Sequence, residues 1–455
     1  MKKNIIYVLG LLLVFTNCSK QLDELKPRTS LTIDIALKDE AGIKNAAIGV
    51  YGIVRRSGFY GGDVQMGADL LGGNLDIRWN GTFKGQLDVL TKDMVDNNEL
   101  ATATWIVAYE AINAANNVLE NIGKITNVSE QNKIKGEMLF LRAICHFELV
   151  RLYAQPWNTT GTNNQLGVPI MLKPSNFERV SRATVAEVYT QVIADLTEAE
   201  NLLPNNNSVF ATKFTAKAFL ARVFLQKSDF TQALAKANDV ISNSGKTLNS
   251  DVTTVFATNN SNESLFEIQQ TEANNAGIGN SGLFAFYANL PQGRGDVEIL
   301  DEHLNLYGGT DKRRTDLFYQ GTLANRAGKW ASGKWKAYNK NYVIMRLAEM
   351  YLVRAECNFR LSSSTGATPL ADINALRSRA NASALTTVDL QKIKLERQLE
   401  LCFEGHRIHD IKRFGDNVVS VTPAFNYPTN SPKLVYPIPF RERTANPNLE
   451  QNPGY

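Results

Sequence analysis

The sequence predicts a mainly α protein: a superhelical scaffold of tetratricopeptide-like helix hairpins, interrupted by long irregular loops that carry short strands. Three observations predict it. Apolar residues recur at i, i+3, i+4 and i+7 over several stretches, the spacing of one buried helical face. One pair, 212–227 and 229–243, is joined by a turn at Ser228-Asp229-Phe230, with small residues Ala216, Ala221, Ala233 and Ala237 where two helices approach closely. An aromatic–Leu core with an arginine just beyond recurs at Phe140-Leu141-Arg142-Ala143, Phe219-Leu220-Ala221-Arg222 and Tyr351-Leu352-Val353-Arg354-Ala355. A strict 34-residue repeat is absent, so the expectation is about four hairpins stacked as an irregular solenoid.

The helices follow in order. Residues 34–57 place Ile43, Ala46, Ala47, Val50 and Tyr51 on one face. Residues 97–123 do the same with Trp105, Ala108, Tyr109, Ile112, Ala115 and Leu119. Residues 129–153 begin at Ser129 as N-cap and carry Ile134, Met138, Leu141, Cys145 and Leu152. Residues 184–203 open with Thr184 and Glu187, a capping box. The stripe Phe230, Ala233, Leu234, Ala237, Ile241 defines 229–243, and a last pair falls within 343–405, the helix that carries Tyr351 to Ala355 followed by Leu370 to Ala380. Between them lie 58–96, rich in Gly, Asp and Asn, the proline-containing 154–182, and 244–342, with strand-like runs at Ser264 to Gln269 and at Val343 to Met345. Structureless loops beyond ~12–15 residues are uncommon unless functional, so 58–96 and 244–342 are expected to form a mixed subregion that carries recognition.

Composition sets the class. The 455 residues are 44% hydrophobic and 21% charged, which excludes collagenous, disordered and disulfide-scaffold proteins. Lys2 and Lys3 precede a 12-residue apolar run, Ile5 to Thr16, and then Cys18. A spanning helix needs ~20 apolar residues, so this run reads as a secretory signal, residues 1–17. A cysteine at its end implies a thioether-linked lipid on Cys18 and an anchor on a membrane, although Asn17 departs from the usual small residue; a plain secreted protein is the alternative. Without 1–17, 47 Lys and Arg face 45 Asp and Glu, and nucleic acid is not expected as a partner. Cys145, Cys357 and Cys402 sit in helical patterns with no C-x-x-C; buried thiols are expected, and one disulfide stays open.

The segment Arg346-Leu347-Ala348-Glu349-Met350-Tyr351-Leu352-Val353-Arg354-Ala355-Glu356 resembles the hallmark helix of the SusD/RagB family. So does Glu396-Arg397-Gln398-Leu399-Glu400-Leu401-Cys402-Phe403-Glu404-Gly405-His406-Arg407, followed by Asp410-Ile411-Lys412-Arg413-Phe414-Gly415. Tyr436-Pro437-Ile438-Pro439, Asn446-Pro447-Asn448-Leu449 and Gln451-Asn452-Pro453-Gly454-Tyr455 close the chain in the same manner. Cys18 with Leu22-Asp23 and Pro27 fits too; His409 departs, standing where many relatives carry an aromatic.

The resemblance implies one SusD-like domain over 18–455, helical over 34–57, 97–153, 184–243 and 343–405, with the ligand subregion in the two long insertions. It implies a cell-surface, outer-membrane lipoprotein. Such a protein captures oligosaccharide, or peptide in some branches, for a SusC-like TonB-dependent barrel, with no catalysis; no motif in the sequence calls for a cofactor.

Sugar rings stack on aromatic faces, and their hydroxyls need planar polar partners. Arg78-Trp79-Asn80 supplies both, with Asn74 and Asp76 nearby. Tyr60 before Gly61-Gly62, Tyr287 and Asn289 between Gly282 and Gly293, and Trp330 before Ala331-Ser332-Gly333 complete the candidate set. Each is also an ordinary core residue in another setting. Gly-rich polar surroundings favour exposure for Trp79 and for Trp330, read as a mobile loop tip.

The charged block Glu396 to Gly415 allows an acid/base or metal reading, but lacks H-E-x-x-H and fits a buried ion-pair network better. Asp311-Lys312-Arg313-Arg314 reads as a salt-bridge node. Asp296/Glu298 and Asp301/Glu302 leave open a glycoside hydrolase, which needs carboxyls ~5–9 Å apart, and a structural calcium among loop oxygens.

Overall fold

The computed structural model describes residues 33–455 apart from Asn74, Asn176, Phe177 and Thr422. Cys18, the leader 1–17 and Asn74 lie outside the described residues. Among the described residues no helix is long and apolar enough to cross a membrane.

After a single helical turn at Ile33–Ala36, the scaffold continues with α1 (Glu40–Val54). The expected helix over 34–57 is broken because Asp39 is extended and caps α1, accepting from the Gly42 N–H at 2.9 Å. Next come α2 (Asp63–Gly72), β1 (Ile77–Trp79) and α3 (Lys84–Thr91), inside the stretch read as a loop. The glycines of α2 are there for contact rather than freedom. A Cβ on Gly67 would lie 2.0 Å from the Tyr436 hydroxyl, and one on Gly72 2.7 Å from the Ile408 nitrogen.

The long helices α4 (Glu99–Asn121) and α5 (Val128–Tyr153) follow. The cap of α5 is Asn127, whose side chain accepts from Glu130 N–H at 3.0 Å, and not Ser129. In α6 (Val185–Leu202) the Thr184/Glu187 capping box forms as read. In α7 (Lys213–Gln226) and α8 (Phe230–Asn243) the joining turn uses Ser228 at φ 59°. Each helix from α4 to α8 packs on the next, and α8 then packs on α10 (Leu347–Arg360), introduced below.

The stretch 244–342 holds β2 (Ser264–Ile268), α9 (Gly282–Tyr287), β3 (Val297–Ile299), β4 (Phe318–Gln320) and β5 (Trp330–Ser332). β6 (Tyr342–Arg346) leads into α10, and β2 pairs antiparallel with β6. A four-stranded antiparallel sheet runs β1-β3-β5-β4, so the two long insertions meet in one sheet. The C-terminal part carries α11 (Pro369–Arg379), α12 (Leu390–Leu401), α13 (Arg407–Phe414), a hairpin of β7 (Val418–Val421) and β8 (Ala424–Tyr427), and a last short helix, α14 (Phe440–Ala445).

Buried ion pairs tie the C-terminal helices to the rest. Arg346 contacts Glu263 at 3.1 Å, Glu400 at 2.7 Å and Glu404 at 2.8 Å. Arg313 contacts Asp311 at 2.7 Å, Glu396 at 2.6 Å and Glu400 at 3.0 Å, and Arg222 contacts Glu349 at 2.6 Å. Burial holds His406 and His409 well below the usual imidazole range, so both are neutral. Cys145, Cys357 and Cys402 are buried free thiols.

Candidate ligand-binding face

The register of the four-stranded sheet decides which side chains face out. Residues directly opposite share a face. Ile77, Ile299 and Trp330 form one row, and Trp79 opposite Val297 lies on the same side two residues on. All of them pack on the core. Arg78 and Glu298 form the opposing row and look outward.

The two tryptophans therefore turn inward, against the expectation of exposure. Trp79 is 6% exposed, with its ring 5.6 Å from that of Phe286. Gly81 lets the chain close over the indole: a Cβ there would lie 2.5 Å from Trp79 Cζ2 and 2.7 Å from the Asp296 carboxylate. Trp330 lies in β5 rather than at a loop tip, and is half-buried.

Arg78 and Asn80 belong to the outer face. The Asn80 Nδ2 donates to Glu298 Oε2 at 2.8 Å, Arg78 Nη1 lies 3.5 Å from the same oxygen, and Lys329 Nζ lies 2.9 Å from Oε1. The Arg78 and Lys329 side chains are 57% and 48% exposed, Glu298 only 9%. Burial pushes the Glu298 carboxyl up, but the Asn80 amide and the Lys329 and Arg78 cations outweigh it and hold it below the usual range.

Beside it, Asp296 is held by Arg294 at 2.7 Å and Arg326 at 2.5 Å. Arg326 donates to the Asn80 carbonyl at 2.8 Å, and Arg294 lies 4.9 Å above the half-buried Phe83 ring. The face is a belt in which Arg78, Lys329, Arg294 and Arg326 share two carboxylates.

The remaining anticipated residues are buried and bonded within the fold, so the structure corrects their expected exposure. Asp76 accepts from His303 Nδ1 and Gln398 at 2.9 Å each and from Arg407 at 2.7 Å. The Tyr60 hydroxyl donates to Glu148 at 2.8 Å and Tyr287 to Asp69 at 3.0 Å. Asn289 donates to the Arg326 carbonyl at 2.9 Å and accepts from Leu323 N–H at 3.2 Å, which fixes the loop that carries Arg326. The sheet thus gathers Arg78, Trp79, Asn80 and Trp330, with Asn289 behind the belt, while Tyr60, Asp76 and Tyr287 anchor the scaffold.

Sequence reasoning missed Phe83, Arg294 and Arg326. Their roles depend on pairing between strands more than 200 positions apart in the chain, and only the alternation Arg294, Asp296, Glu298 hints at it. Asp296 and Glu298 are both held by cations, and Asp301 and Glu302 are exposed. Among the described residues no group of three or more His, Cys, Asp or Glu side chains is placed to hold a metal ion.

Known proteins match this architecture along the whole chain. A family model described as "Starch-binding associating with outer membrane" matches residues 79–225, and one described as "SusD family" matches 301–455. The SusD-like protein P2 of Formosa agariphila is 27% identical, with all of both chains aligned. The chain belongs to the SusD/RagB family. A crystal structure of a SusD superfamily protein from Bacteroides thetaiotaomicron superposes with a TM-score of 0.82 at 26% identity, covering 93% of this chain and all of that one. A laminarin-binding SusD-like protein superposes at 0.76 with 24% identity over 92% of this chain and all of that one, a likeness of fold. The two SusD models cover α3 to α7 and the C-terminal helices from α10 onward, and leave out α1, α2 and α8. Arg294, Asp296 and Glu298 fall between them.

Proposed function

We propose that this SusD/RagB protein captures oligosaccharide at the cell surface and delivers it to a SusC-like TonB-dependent outer-membrane transporter, anchored in the outer membrane through a lipid on Cys18. The observation that carries the reading is the outward belt at Arg78, Asn80 and Lys329 around the shielded Glu298. Guanidinium, amide and ammonium donors on rigid strands suit the crowded hydroxyls of a sugar. The half-buried Phe83 ring beside Arg294 offers an apolar edge for its C–H faces, while Trp79 and Trp330 pack on the core side of the sheet. A laminarin-binding protein of the same fold supports the glycan class.

The reading is non-catalytic. A general acid must hold its proton near the working pH, whereas Glu298 is held below the usual range by its cations. Capture then rests on equilibrium binding alone.

The test is calorimetric titration of the mature chain in detergent against plant, host and fungal oligosaccharides and mixed peptides. Expected is binding of one glycan class, weakened about tenfold in Arg78→Ala and Asn80→Ala as charge-assisted and neutral hydrogen bonds are lost, with no product formed. Binding of peptides alone would move the protein to the peptide-importing branch. Release of shorter sugars would make it a hydrolase.

A further inference from the structure

Away from the sheet, a groove of about 340 Å³ opens between the α6–α7 connection, the exit of α8 and the approach to β2. Ligand pockets run from ~300 to 1,000 Å³, so there is room for a small ligand. Its apolar lining comes from Val209, Phe210, Phe214, Leu265 and Phe266, and of the three rings only Phe210 is not buried. Phe210 is half-buried, and its ring is fixed 4.9 Å from that of Tyr51.

The rim is polar and partly uncommitted. Asn205 and Asn262 are exposed, and neither side chain bonds to another described residue. Asn206 uses only its carbonyl oxygen, which accepts from Ser208 N–H at 3.3 Å. By contrast, Asn260 is spent on a reciprocal pair with Gln269 at 3.1 and 2.9 Å.

The charges in the groove are unequal. Glu267 is shielded: it accepts from Asn260 N–H and the Asn341 amide at 2.7 Å each and from the Ser264 hydroxyl. Lys246 is half-buried, has no carboxylate in salt-bridge range, and reaches only the Ser261 carbonyl, at 3.5 Å. The groove therefore offers uncommitted amides and an ammonium with a single long contact beside the Phe210 ring. That combination matches a sugar ring, with hydroxyls at its edge and C–H groups on its face.

We propose that this groove is a second saccharide-binding site, taking one or two hydroxyl-rich sugar residues through Asn205, Asn262 and Lys246 over Phe210. It uses none of the residues of the sheet face. Two sites on one rigid chain would hold a long glycan at two points, raising avidity without new contacts at either.

Hydrogen-exchange mass spectrometry of the mature chain in detergent tests this, with laminarihexaose, maltohexaose, cellohexaose and xylohexaose as probes. At least one probe should slow exchange in 204–212 and 260–266. The apparent affinity read from those peptides should fall about tenfold or more in the Asn205→Ala/Asn262→Ala double variant. Both asparagines are exposed and unbonded, so this variant keeps the fold. The protection should persist in Arg78→Ala/Asn80→Ala. Protection of the sheet strands with no change in the groove for every probe would overturn the second site and leave the proposed function standing. No change at either place would overturn both. Groove protection that survives the double asparagine variant would overturn the assignment to these residues.

Discussion

The C-terminal ion-pair block and the outer face of the sheet are both dense in charge, and they settle it in opposite ways. In the block, Arg346 is 2% exposed and meets three carboxylates, and Arg313 meets three more contacts of the same kind. Anions surround each buried cation, and water has no access. On the sheet, Arg78 and Lys329 share a single carboxylate and remain about half exposed. A closed network specifies where helices sit, whereas an open one keeps donor capacity for something outside the chain. Charge density therefore does not locate a site; the ratio of partners and the access of solvent do.

The largest expected effect comes from breaking the closed network. Arg346→Met would leave Glu263, Glu400 and Glu404 short of a buried cation. Removing one partner of a buried pair costs about 3–5 kcal/mol, because the other charge stays desolvated. Urea unfolding should show a loss of that size, with the midpoint moving more than for any exposed-face variant. A loss below about 1 kcal/mol would mean that water or rearrangement satisfies the carboxylates, and the two regions would differ less than the geometry indicates.

A smaller loss is expected where scaffold glycines were mistaken for loop glycines. Gly67→Ala drives a Cβ to 2.0 Å from the Tyr436 hydroxyl, so α2 or the C-terminal segment must shift. Overpacking of this kind costs about 1–3 kcal/mol, measurable by thermal unfolding.

That misreading shows what was legible. The Thr184/Glu187 capping box and the 212–243 hairpin were readable because caps and helical stripes are local signals. The glycines of 58–96 were misleading because close approach and flexibility leave the same mark on a sequence. Trp79 was half legible: its segment reaches the outer face, but strand alternation sends Arg78 out and the indole in. Arg294 and Arg326 were illegible, since their value comes from Asp296, Asn80 and Phe83 brought together by the fold.

The junction between the two regions is expected to be sensitive to pH. Burial pushes the His303 imidazolium down, but its hydrogen bonds to Asp76 and Cys402 and the Asp76 charge outweigh this and raise it from 6.5 to about 9. A raised cation favours the folded state. Its contribution is complete below the unfolded value near 6.5 and is lost as pH rises through about 9. The shift corresponds to an upper bound of about 3–4 kcal/mol, which the desolvation of the buried pair reduces. Other groups also titrate in this window, so the readout is the difference in stability between wild type and His303→Asn. It should shrink steadily from pH 6.5 to pH 9. A difference constant over that range would remove His303 as a charged link between β1 and the C-terminal block.

The smallest effect on stability is expected at Arg78, and it sharpens the comparison most. Its guanidinium is 57% exposed and sits 3.5 Å from Glu298, a long contact, and Lys329 and Asn80 remain to satisfy the carboxylate. Exposed pairs contribute about 0–1 kcal/mol, so Arg78→Ala should change unfolding stability by less than about 0.5 kcal/mol. The same substitution removes the most exposed donor of the belt and should weaken oligosaccharide binding about tenfold, as above. A residue that is nearly silent in folding but not in binding is what an open network requires. If Arg78→Ala instead costs as much stability as a buried pair, the outer face is a structural clasp between β1 and β3. The ligand site would then have to be sought elsewhere on the chain.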